Sequence, residues 1–428
     1  MGLKQRYGWL LAAALLVAAL GTVVAGCGGG SSSSSGSSTT ESESEPSGGS
    51  SSAEGEEGET TNAALENASY VGAGETGLGI RPAGGAAQAK AEKAGTSVGE
   101  KAGEAKLPPL KVGIISFLNG IESSDRLTDT ATYAMAQLGW TSTVCDGKGT
   151  PSEFVACGNS LLAEGVDAIV DVAIEPGQIA SVLKKANEKG VPVVQAAGGT
   201  VPLGELSGSF GPSEEKSGEI LATALIEKLE ELNEPVEIAV HNFPALWGAD
   251  RTKALEKDLE GNSNITIGDE VETDASNLAG FTRSTVTTEL TQNPNLKAFW
   301  FAYDTAGQIA GQTIASKYPG KQFPERPLVA TFHGDLGTIA LMHQGAIDMA
   351  SDVNYDAGMW VAIDQLAQYF GREQKIVTEP NPKYPIVGEP YTYQILTSEN
   401  LPEEGEYAAP KWDIPSYFIA KWKSEFGM

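Results

Sequence analysis

The sequence predicts an α/β protein in which two doubly wound modules follow one another along the chain. Short apolar runs rich in β-branched residues are typical of buried parallel strands, and apolar residues at helical spacing lie between these runs. The same alternation starts again near Ser213. Strands that alternate with helices imply right-handed crossovers and an open parallel sheet, and 428 residues suffice for two such domains.

The first module begins after Pro108 and Pro109 with the apolar run LKVGIISF. Each predicted helix of this module is followed by a glycine, which is typical of a helix end. The predicted strands are 110–117, 140–145, 166–173 and 191–195, and the predicted helices are 128–138, 152–164 and 178–189.

The second module repeats this pattern. Its predicted strands are 236–241, 266–271, 296–302, 328–332 and 349–353. Its predicted helices are 215–232, 249–259, 281–292, 305–317, 337–344 and 357–370. Ligands of doubly wound sheets bind outside the carboxyl ends of the strands, where the strand order reverses. Two modules that face each other therefore predict a binding cleft between them.

The N-terminal 27 residues have the features of a secretory signal. Lys4 and Arg6 precede an apolar run over 9–24, and the segment ends in VAGCG, which resembles a bacterial lipobox with Cys27 as the acylated residue. A single transmembrane helix is the alternative, because the run nearly reaches spanning length. Acylation of Cys27 predicts an exported protein anchored to the outer face of the membrane or in the periplasm.

Residues 28–107 are rich in Gly, Ser and Glu and predict a disordered tether, because they offer too little apolar surface to offset the entropy of ordering. The run 72–77 matches the glycine pattern of dinucleotide-binding loops. No strand precedes it, however, so no cofactor is expected.

Composition excludes several classes of function. The net charge of −27 predicts an acidic surface that repels nucleic acid. The three His and three Cys are scattered, which argues against a metal site. The motifs G-x-S-x-G and H-E-x-x-H are missing, so an enzyme is not expected. Carboxylates are abundant, which leaves an exported hydrolase as an open alternative.

Cys145 and Cys157 are predicted to form a disulfide. Export places the chain in a disulfide-permissive compartment, and lipidation of Cys27 leaves two thiols. The connection between them is short and contains Gly147, Gly149 and Pro151, so the two Cα atoms can approach to the distance that a disulfide needs.

Short motifs in the two modules resemble the type I periplasmic binding proteins of ABC importers, in the sugar-binding branch related to lactose-repressor effector cores. The resemblance covers roughly 108–400. It is carried by GVDAIV at 165–170 with ANEKGVPVV at 186–194, by NPNLKAF at 293–299 with YDTAG at 303–307, and by TFHG at 331–334 with QGAIDMAS at 344–351.

The resemblance implies how the chain is divided and what it does. It implies an N-terminal lobe of 108–212 plus 354–385, a C-terminal lobe of 213–353 plus 386–428, and a hinge of three strands. It further implies a monomer that captures a sugar or sugar-like molecule between the lobes and delivers it to the membrane permease of an ABC transporter. A receptor that serves a sensor has the same fold and stays an alternative.

The positions that contact sugars in this family are largely changed here. The Asp-Arg pair of the family falls on Ala197 and Gly198, and one Asn falls near Val172, whereas Arg251 and Asp304 match the family. The candidate ligand-binding residues are Asn119, Glu122, Ser123, Trp247, Arg251, Tyr303, Asp304, His333 and Asp352. If Glu122, Asp304 and Asp352 converge beside Trp247 and Tyr303, the site would suit a cationic or aromatic ligand instead of a sugar.

Overall fold

The computed structural model of the protein describes residues 105–198, 204–376, 391–408 and 413–428. The predicted signal peptide, Cys27, the run 72–77 and nearly all of the predicted tether lie outside the described residues. Within the described residues, eleven strands and ten α-helices are found, and no helix is both long and apolar enough to cross a membrane.

The first lobe is built on a five-stranded parallel sheet with the order β2-β1-β3-β4-β5. Its strands are β1 (Lys111–Ser116), β2 (Thr141–Asp146), β3 (Ala168–Val172), β4 (Val193–Ala196) and β5 (Gly208–Phe210). Its helices are α1 (Glu122–Gln137), α2 (Pro151–Ala163), α3 (Ala180–Lys189) and α9 (Asp356–Arg372), and a 3₁₀ turn (Pro176–Ile179) precedes α3.

The second lobe is built on a six-stranded sheet with the order β11-β10-β9-β8-β6-β7, in which only β11 is antiparallel to its neighbour. Its strands are β6 (Val236–Asn242), β7 (Ile265–Glu272), β8 (Leu296–Phe301), β9 (Leu328–Phe332), β10 (Met349–Val353) and β11 (Tyr393–Thr397). Its helices are α4 (Glu214–Glu230), α5 (Leu246–Asp258), α6 (Leu278–Gln292), α7 (Asp304–Lys317) and α8 (Leu336–His343), and a 3₁₀ turn (Ala275–Asn277) precedes α6.

Both sheets are doubly wound, which confirms the predicted fold class. The strand order reverses between β1 and β3 in the first lobe and between β6 and β8 in the second. Such a reversal leaves a crevice at the carboxyl edge of the sheet, because the helices on its two sides lie on opposite faces. All predicted strands and helices are present, and α1 begins six residues earlier than the sequence predicts, at Glu122 instead of residue 128.

The chain passes between the lobes at residues 211–213, after β5, and at residues 354 and 355, after β10. It returns to the second lobe to form β11, whose register places Tyr393 opposite Val353. These connections run close together along one side of the molecule, since β10 and β11 are neighbours in one sheet.

The C-terminal helix α10 (Ile414–Phe426) packs into the core of the first lobe. This differs from the sequence-based boundaries, which assign 386–428 to the second lobe. The physical reason is a wholly buried face of α10: Phe418 and Trp422 stack on Trp360 of α9 with ring centroids 6.2 and 5.5 Å apart. Burial of these rings stabilises α10 in the first lobe, although the strand that precedes it in the chain, β11, belongs to the second lobe.

Cys145 at the end of β2 and Cys157 in α2 are joined by a disulfide, with Cα atoms 5.5 Å apart, as predicted. The bond ties the edge strand of the first sheet to the helix that covers it. Phe154 of the same helix is fully buried beside Ile115 of β1, in the core that fills this side of the sheet.

Candidate ligand-binding site

A cavity lies between the lobes, at the carboxyl edges of both sheets. It contains about 470 Å³ of empty space, part of it open to solvent. Its lining comes from the segments that follow β1, β3, β4, β6, β8 and β9, and from the two passages between the lobes. The lining residues are Phe117, Ser123, Ser124, Leu127, Val172, Ala173, Ala197, Gly198, Glu214, Trp247, Arg251, Tyr303, His333 and Tyr355.

Aromatic rings form the wall of the cavity in the second lobe. Trp247, at the start of α5, stacks on Phe243 with ring centroids 4.8 Å apart. Tyr303, at the end of β8, packs against Trp247 at 5.7 Å. Trp247 and Tyr303 line the cavity, and both side chains are buried. Burial raises the pKa of the Tyr303 hydroxyl above its usual range. Arg251 lies against the Trp247 ring, 4.8 Å from its centroid, and the aromatic wall offers apolar surface to a ligand.

Arg251 lies beneath these rings, and four of its five N–H groups donate to protein groups. Its Nε donates to Glu214 Oε2 at 2.7 Å, and its Nη1 donates to the carbonyl oxygen of Ala302 at 2.7 Å. Its Nη2 donates to Tyr355 Oη at 2.8 Å and to His333 Nε2 at 3.0 Å. The guanidinium therefore organises the floor of the cavity by linking segments of the second lobe to the crossover residues.

His333 is held neutral by this arrangement. Its Nε2 accepts a hydrogen bond from Arg251, so the proton of the ring lies on Nδ1. Burial and the positive charges of Arg251 and Arg126 lower the pKa of His333 well below its ordinary value. The backbone at His333 has a φ of 62°, and the ring stacks on Tyr355 with centroids 4.4 Å apart. The strained backbone aims the ring at the cavity.

Two polar atoms of the lining have no hydrogen-bond partner. Glu214 Oε2 accepts from Arg251 and from the Tyr355 hydroxyl, but Glu214 Oε1 accepts from no group. The indole Nε1 of Trp247 donates to no group. Both side chains are deeply buried, with 2% of Glu214 and 6% of Trp247 exposed. Buried polar atoms are nearly always paired in native proteins, so these two are candidates to bind a ligand.

Five of the predicted site residues line the cavity and four do not. Those that line it are Ser123, Trp247, Arg251, Tyr303 and His333, and those that do not are Asn119, Glu122, Asp304 and Asp352. Asn119 is exposed, and its backbone N–H donates to Asp146 Oδ1. The Asp352 carboxylate is occupied by Gly334 N–H at 3.0 Å and by Gln394 Nε2 at 2.9 Å, so it supports the crossover region instead.

Glu122 joins the two lobes instead of facing the cavity. Its carboxylate accepts from the backbone N–H groups of Leu336 and Gly337, at 2.6 and 3.0 Å, and from the hydroxyl of Tyr407 at 2.9 Å. Leu336 and Gly337 form the first turn of α8 in the second lobe. A carboxylate at a helix N-terminus satisfies unpaired N–H groups and favourably meets the positive end of the helix dipole.

Glu175 makes a second contact of the same type. Its Oε1 accepts from the backbone N–H of Leu246, the first residue of α5, at 2.7 Å. Neither α5 nor α8 receives a side-chain hydrogen bond from its own N-cap residue, Ala245 or Asp335. The first lobe therefore caps two helices of the second lobe, and the structure is of the closed form.

Asp304 lies at the start of α7 beside Asp335, away from the cavity. The two carboxyl groups interact electrostatically, and neither oxygen of Asp304 has a hydrogen-bond partner. Burial raises the pKa of Asp304 to about 6, and burial and the neighbouring Asp304 raise that of Asp335 well above its ordinary value. On the other side Arg126 Nη1 lies 3.5 Å from Asp335 Oδ1.

Sequence reasoning missed Glu214 and Tyr355, which hold Arg251 and complete the floor of the cavity. Glu214 follows the N-cap Ser213, where an acidic residue is typical of any helix start. Its burial was therefore not visible in the sequence. Val172, Ala197 and Gly198, where the sequence resemblance implies polar sugar contacts, line the cavity.

A comparison with the sequences of curated proteins gave no significant match. Among solved structures, the chain is similar to a solute-binding protein of an ABC transporter from Agrobacterium vitis with bound allitol, at 17% identity and a TM-score of 0.59 over 69% of this chain and 98% of that one. It is similar to a solute-binding protein from Burkholderia graminis in complex with D-arabinose, at 20% identity and 0.58 over 70% and 98%. It is similar to a periplasmic ribose ABC transporter protein from Conexibacter woesei, at 17% identity and 0.56 over 70% and 95%.

These identities establish a shared fold. The sequence profile of the periplasmic binding protein domain, in addition, matches residues 112–374, more than half of the chain and nearly all of both doubly wound sheets. The lobes, the crossovers between them and the cavity at the carboxyl edges of both sheets all lie mainly within this match. The chain belongs to the family of periplasmic binding protein domains.

Proposed function

We propose that this chain is an exported, lipid-anchored solute-binding protein that captures a small molecule between its lobes and delivers it to the membrane permease of an ABC transporter. The observation that carries the proposal is the cavity at the two strand-order reversals, with Glu214 Oε1 and Trp247 Nε1 buried and unpaired in its wall. Family membership and the names of the solved relatives, which are transporter proteins, support it.

The N-terminal sequence supports the anchor. The run VAGCG places Cys27 where a lipobox cysteine would be acylated, and about 80 residues of Gly/Ser-rich chain would separate the lobes from the membrane by on the order of 50 Å. The protein acts as a monomer at the outer face of the cell membrane or in the periplasm. A tethered monomer stays concentrated near its permease while the lobes remain free to open and close.

Binding, and not catalysis, is the role that the cavity supports. Its lining is mainly apolar, and its histidine is neutral and occupied by Arg251. The Arg251 guanidinium holds the floor together and is not free to act on a substrate. A receptor that serves a membrane sensor would use the same cavity. The two roles differ in the membrane partner, which is a permease for transport and a sensor protein for signalling.

A thermal-shift screen of the purified full-length protein against sugars, polyols, nucleosides, amines and aromatic acids tests the binding role. We expect at least one compound to raise the melting temperature without being converted to a product. Cells should take up that compound, in labelled form, only when they carry the intact chain, and Cys27→Ala should move the protein from the membrane fraction to the soluble fraction. Product formation would favour a hydrolase, and unchanged uptake without the chain would favour a sensor.

A further inference from the structure

The strongest unexplained feature of the cavity is the unpaired oxygen of Glu214. Glu214 lines the cavity and is 2% exposed, its Oε2 accepts from Arg251 and Tyr355, and its buried Oε1 accepts from no group. A buried acceptor that lacks a donor destabilises the protein, and more strongly when it is charged. A ligand that brings an N–H or O–H group to this oxygen offsets that destabilisation, so the ligand must carry a donor.

The cavity offers few other polar contacts. The Ser124 hydroxyl pairs with Ser116 at 3.1 Å, and the Tyr355 hydroxyl is occupied by Glu214 and Arg251. All three nitrogens of Arg251 already donate to protein groups, which leaves no bidentate face for an anionic ligand. A sugar carries a hydroxyl on nearly every carbon and needs several fixed donors and acceptors. The other polar groups of the lining are Glu214 Oε1, the N–H groups of Trp247 and His333, and the hydroxyls of Ser123 and Tyr303, a small set within a mainly apolar surface.

The charge around the cavity favours a cation. Glu214 lies in the wall and is paired with Arg251 at 2.7 Å, while Glu122, Asp304 and Asp335 interact electrostatically with one another outside the lining. The positive groups on this side are Arg251 and Arg126, and Arg126 is already paired with Asp356 at 2.5 Å. Arg251 already lies over the Trp247 ring at 4.8 Å and Tyr355 stacks on His333, so Phe117 and Tyr303 are the rings of the lining that attract a ligand cation through their quadrupoles.

We propose that the cavity selects a compact, mostly apolar amine whose protonated nitrogen donates to Glu214 Oε1, while its hydrocarbon part packs against Trp247 and Tyr303. This inference rests on the proposed solute-binding function and names the chemical class of the solute. Glu214 is then the residue that determines specificity, and it takes the place of the polar sugar contacts that are absent at Val172, Ala197 and Gly198.

The test is a calorimetric titration of the purified full-length protein with four probes: benzylamine, benzyl alcohol, benzoate and D-arabinose. The first three share a phenyl ring that carries an aminomethyl, a hydroxymethyl or a carboxylate group, and the first two differ only in the charge and donor of that group. We expect benzylamine to bind at least tenfold more tightly than benzyl alcohol, and benzoate and D-arabinose to show no binding. This series needs no substitution, so it does not depend on how a variant folds.

Two variants locate the effect. Glu214→Gln keeps the size of the side chain and removes its charge, so it should weaken benzylamine at least tenfold and abolish the preference over benzyl alcohol. Glu227→Gln, on the exposed side of the same helix, should leave both affinities unchanged. Melting curves of both variants report whether they are folded.

Equal binding of benzylamine and benzyl alcohol, or an unchanged preference in Glu214→Gln, would overturn the assignment. Tight binding of D-arabinose would overturn it as well and leave the proposed solute-binding function intact. Failure of all four probes would also count against an amine-selective site, while the wider thermal-shift screen would still judge the proposed function.

Discussion

Glu122 of the first lobe accepts a hydrogen bond from the backbone N–H of Leu336, 2.6 Å away, across the boundary between the lobes. With Gly337 N–H and the Tyr407 hydroxyl on the same carboxylate, this contact caps α8 only while the lobes are closed. Opening leaves those N–H groups to water. The hydrogen bonds of Glu122 therefore stabilise the closed form of the protein even when no ligand is bound.

We therefore expect Glu122→Ala to shift the equilibrium toward the open form by about 1–3 kcal/mol, the scale of hydrogen bonds to a charged group. Spin labels at the exposed positions Lys184 in the first lobe and Gln312 in the second report the interlobe distance in pulsed electron resonance. The variant should give a longer and broader distance distribution without ligand. Glu188→Ala, an exposed carboxylate on α3, is the matched control, and identical distributions for all three proteins would refute the clamp.

The neutral state of His333 predicts a dependence of stability on pH. Its pKa in the folded protein lies well below 6.5, so below pH 6.5 the unfolded chain takes up a proton that the folded protein does not. The free energy of unfolding contributed by this residue therefore falls as the pH is lowered, by about 1.4 kcal/mol per pH unit, until the folded pKa is reached.

His333→Asn isolates that contribution, because asparagine tolerates the positive φ and can still accept from Arg251. We expect the variant to lose less stability than the unchanged protein between pH 6.5 and 5.5, measured by urea unfolding. The pKa of Asp304 is raised to about 6, so this residue adds stability as the pH falls through the same range. It does so in both proteins, and its contribution cancels when their stabilities are subtracted. Parallel stability curves for the two proteins would show that His333 does not titrate as inferred.

A buried ion cluster holds α10 in the first lobe. Lys421 Nζ donates to Asp364 Oδ1 at 2.5 Å and to Glu425 Oε2 at 3.0 Å, and all three side chains are almost completely buried. Lys421→Ala removes the cation bound to Asp364 and leaves Glu425 beside Arg372, whose Nη1 lies 3.8 Å from Glu425 Oε1, so it should lower the free energy of unfolding by about 3–5 kcal/mol. Lys423→Ala, exposed on the same helix, should change it by less than about 0.5 kcal/mol. Similar values for the two variants in urea unfolding would contradict this role.

Much of the fold follows from the sequence because parallel strands buried on both faces leave strong apolar runs. The strand β8, LKAFWF, is of this kind. The three-residue β5 and the half-exposed edge strand β11 carry no such run, and both were missed. The C-terminal helix was missed although Asp413, Pro415 and Gly427 provide start and stop signals.

The candidate site was predictable only in part. Residues that directly follow strands, such as Trp247, Tyr303 and His333, were found because doubly wound sheets place ligands there. Glu122 was expected at the ligand, but α1 begins earlier than predicted and turns its carboxylate toward α8. Glu214 depends on contacts with Arg251 and Tyr355, 37 and 141 residues away in sequence, which no local pattern encodes.

The central claim is that a solute binds in the cavity between the lobes, and calorimetric titration of a cavity-filled variant tests it most directly. Leu127 of α1 lines the cavity and is 5% exposed, so Leu127→Trp should occupy the space that the solute needs. Tyr369→Trp, at an exposed position of α9, is the control for adding an indole. We expect the compound that most stabilises the unchanged protein to bind it and the Tyr369 variant with one-to-one stoichiometry and similar affinity, and to bind the Leu127→Trp variant at least a hundredfold more weakly. Equal affinity for all three folded proteins would place the solute elsewhere and contradict the account.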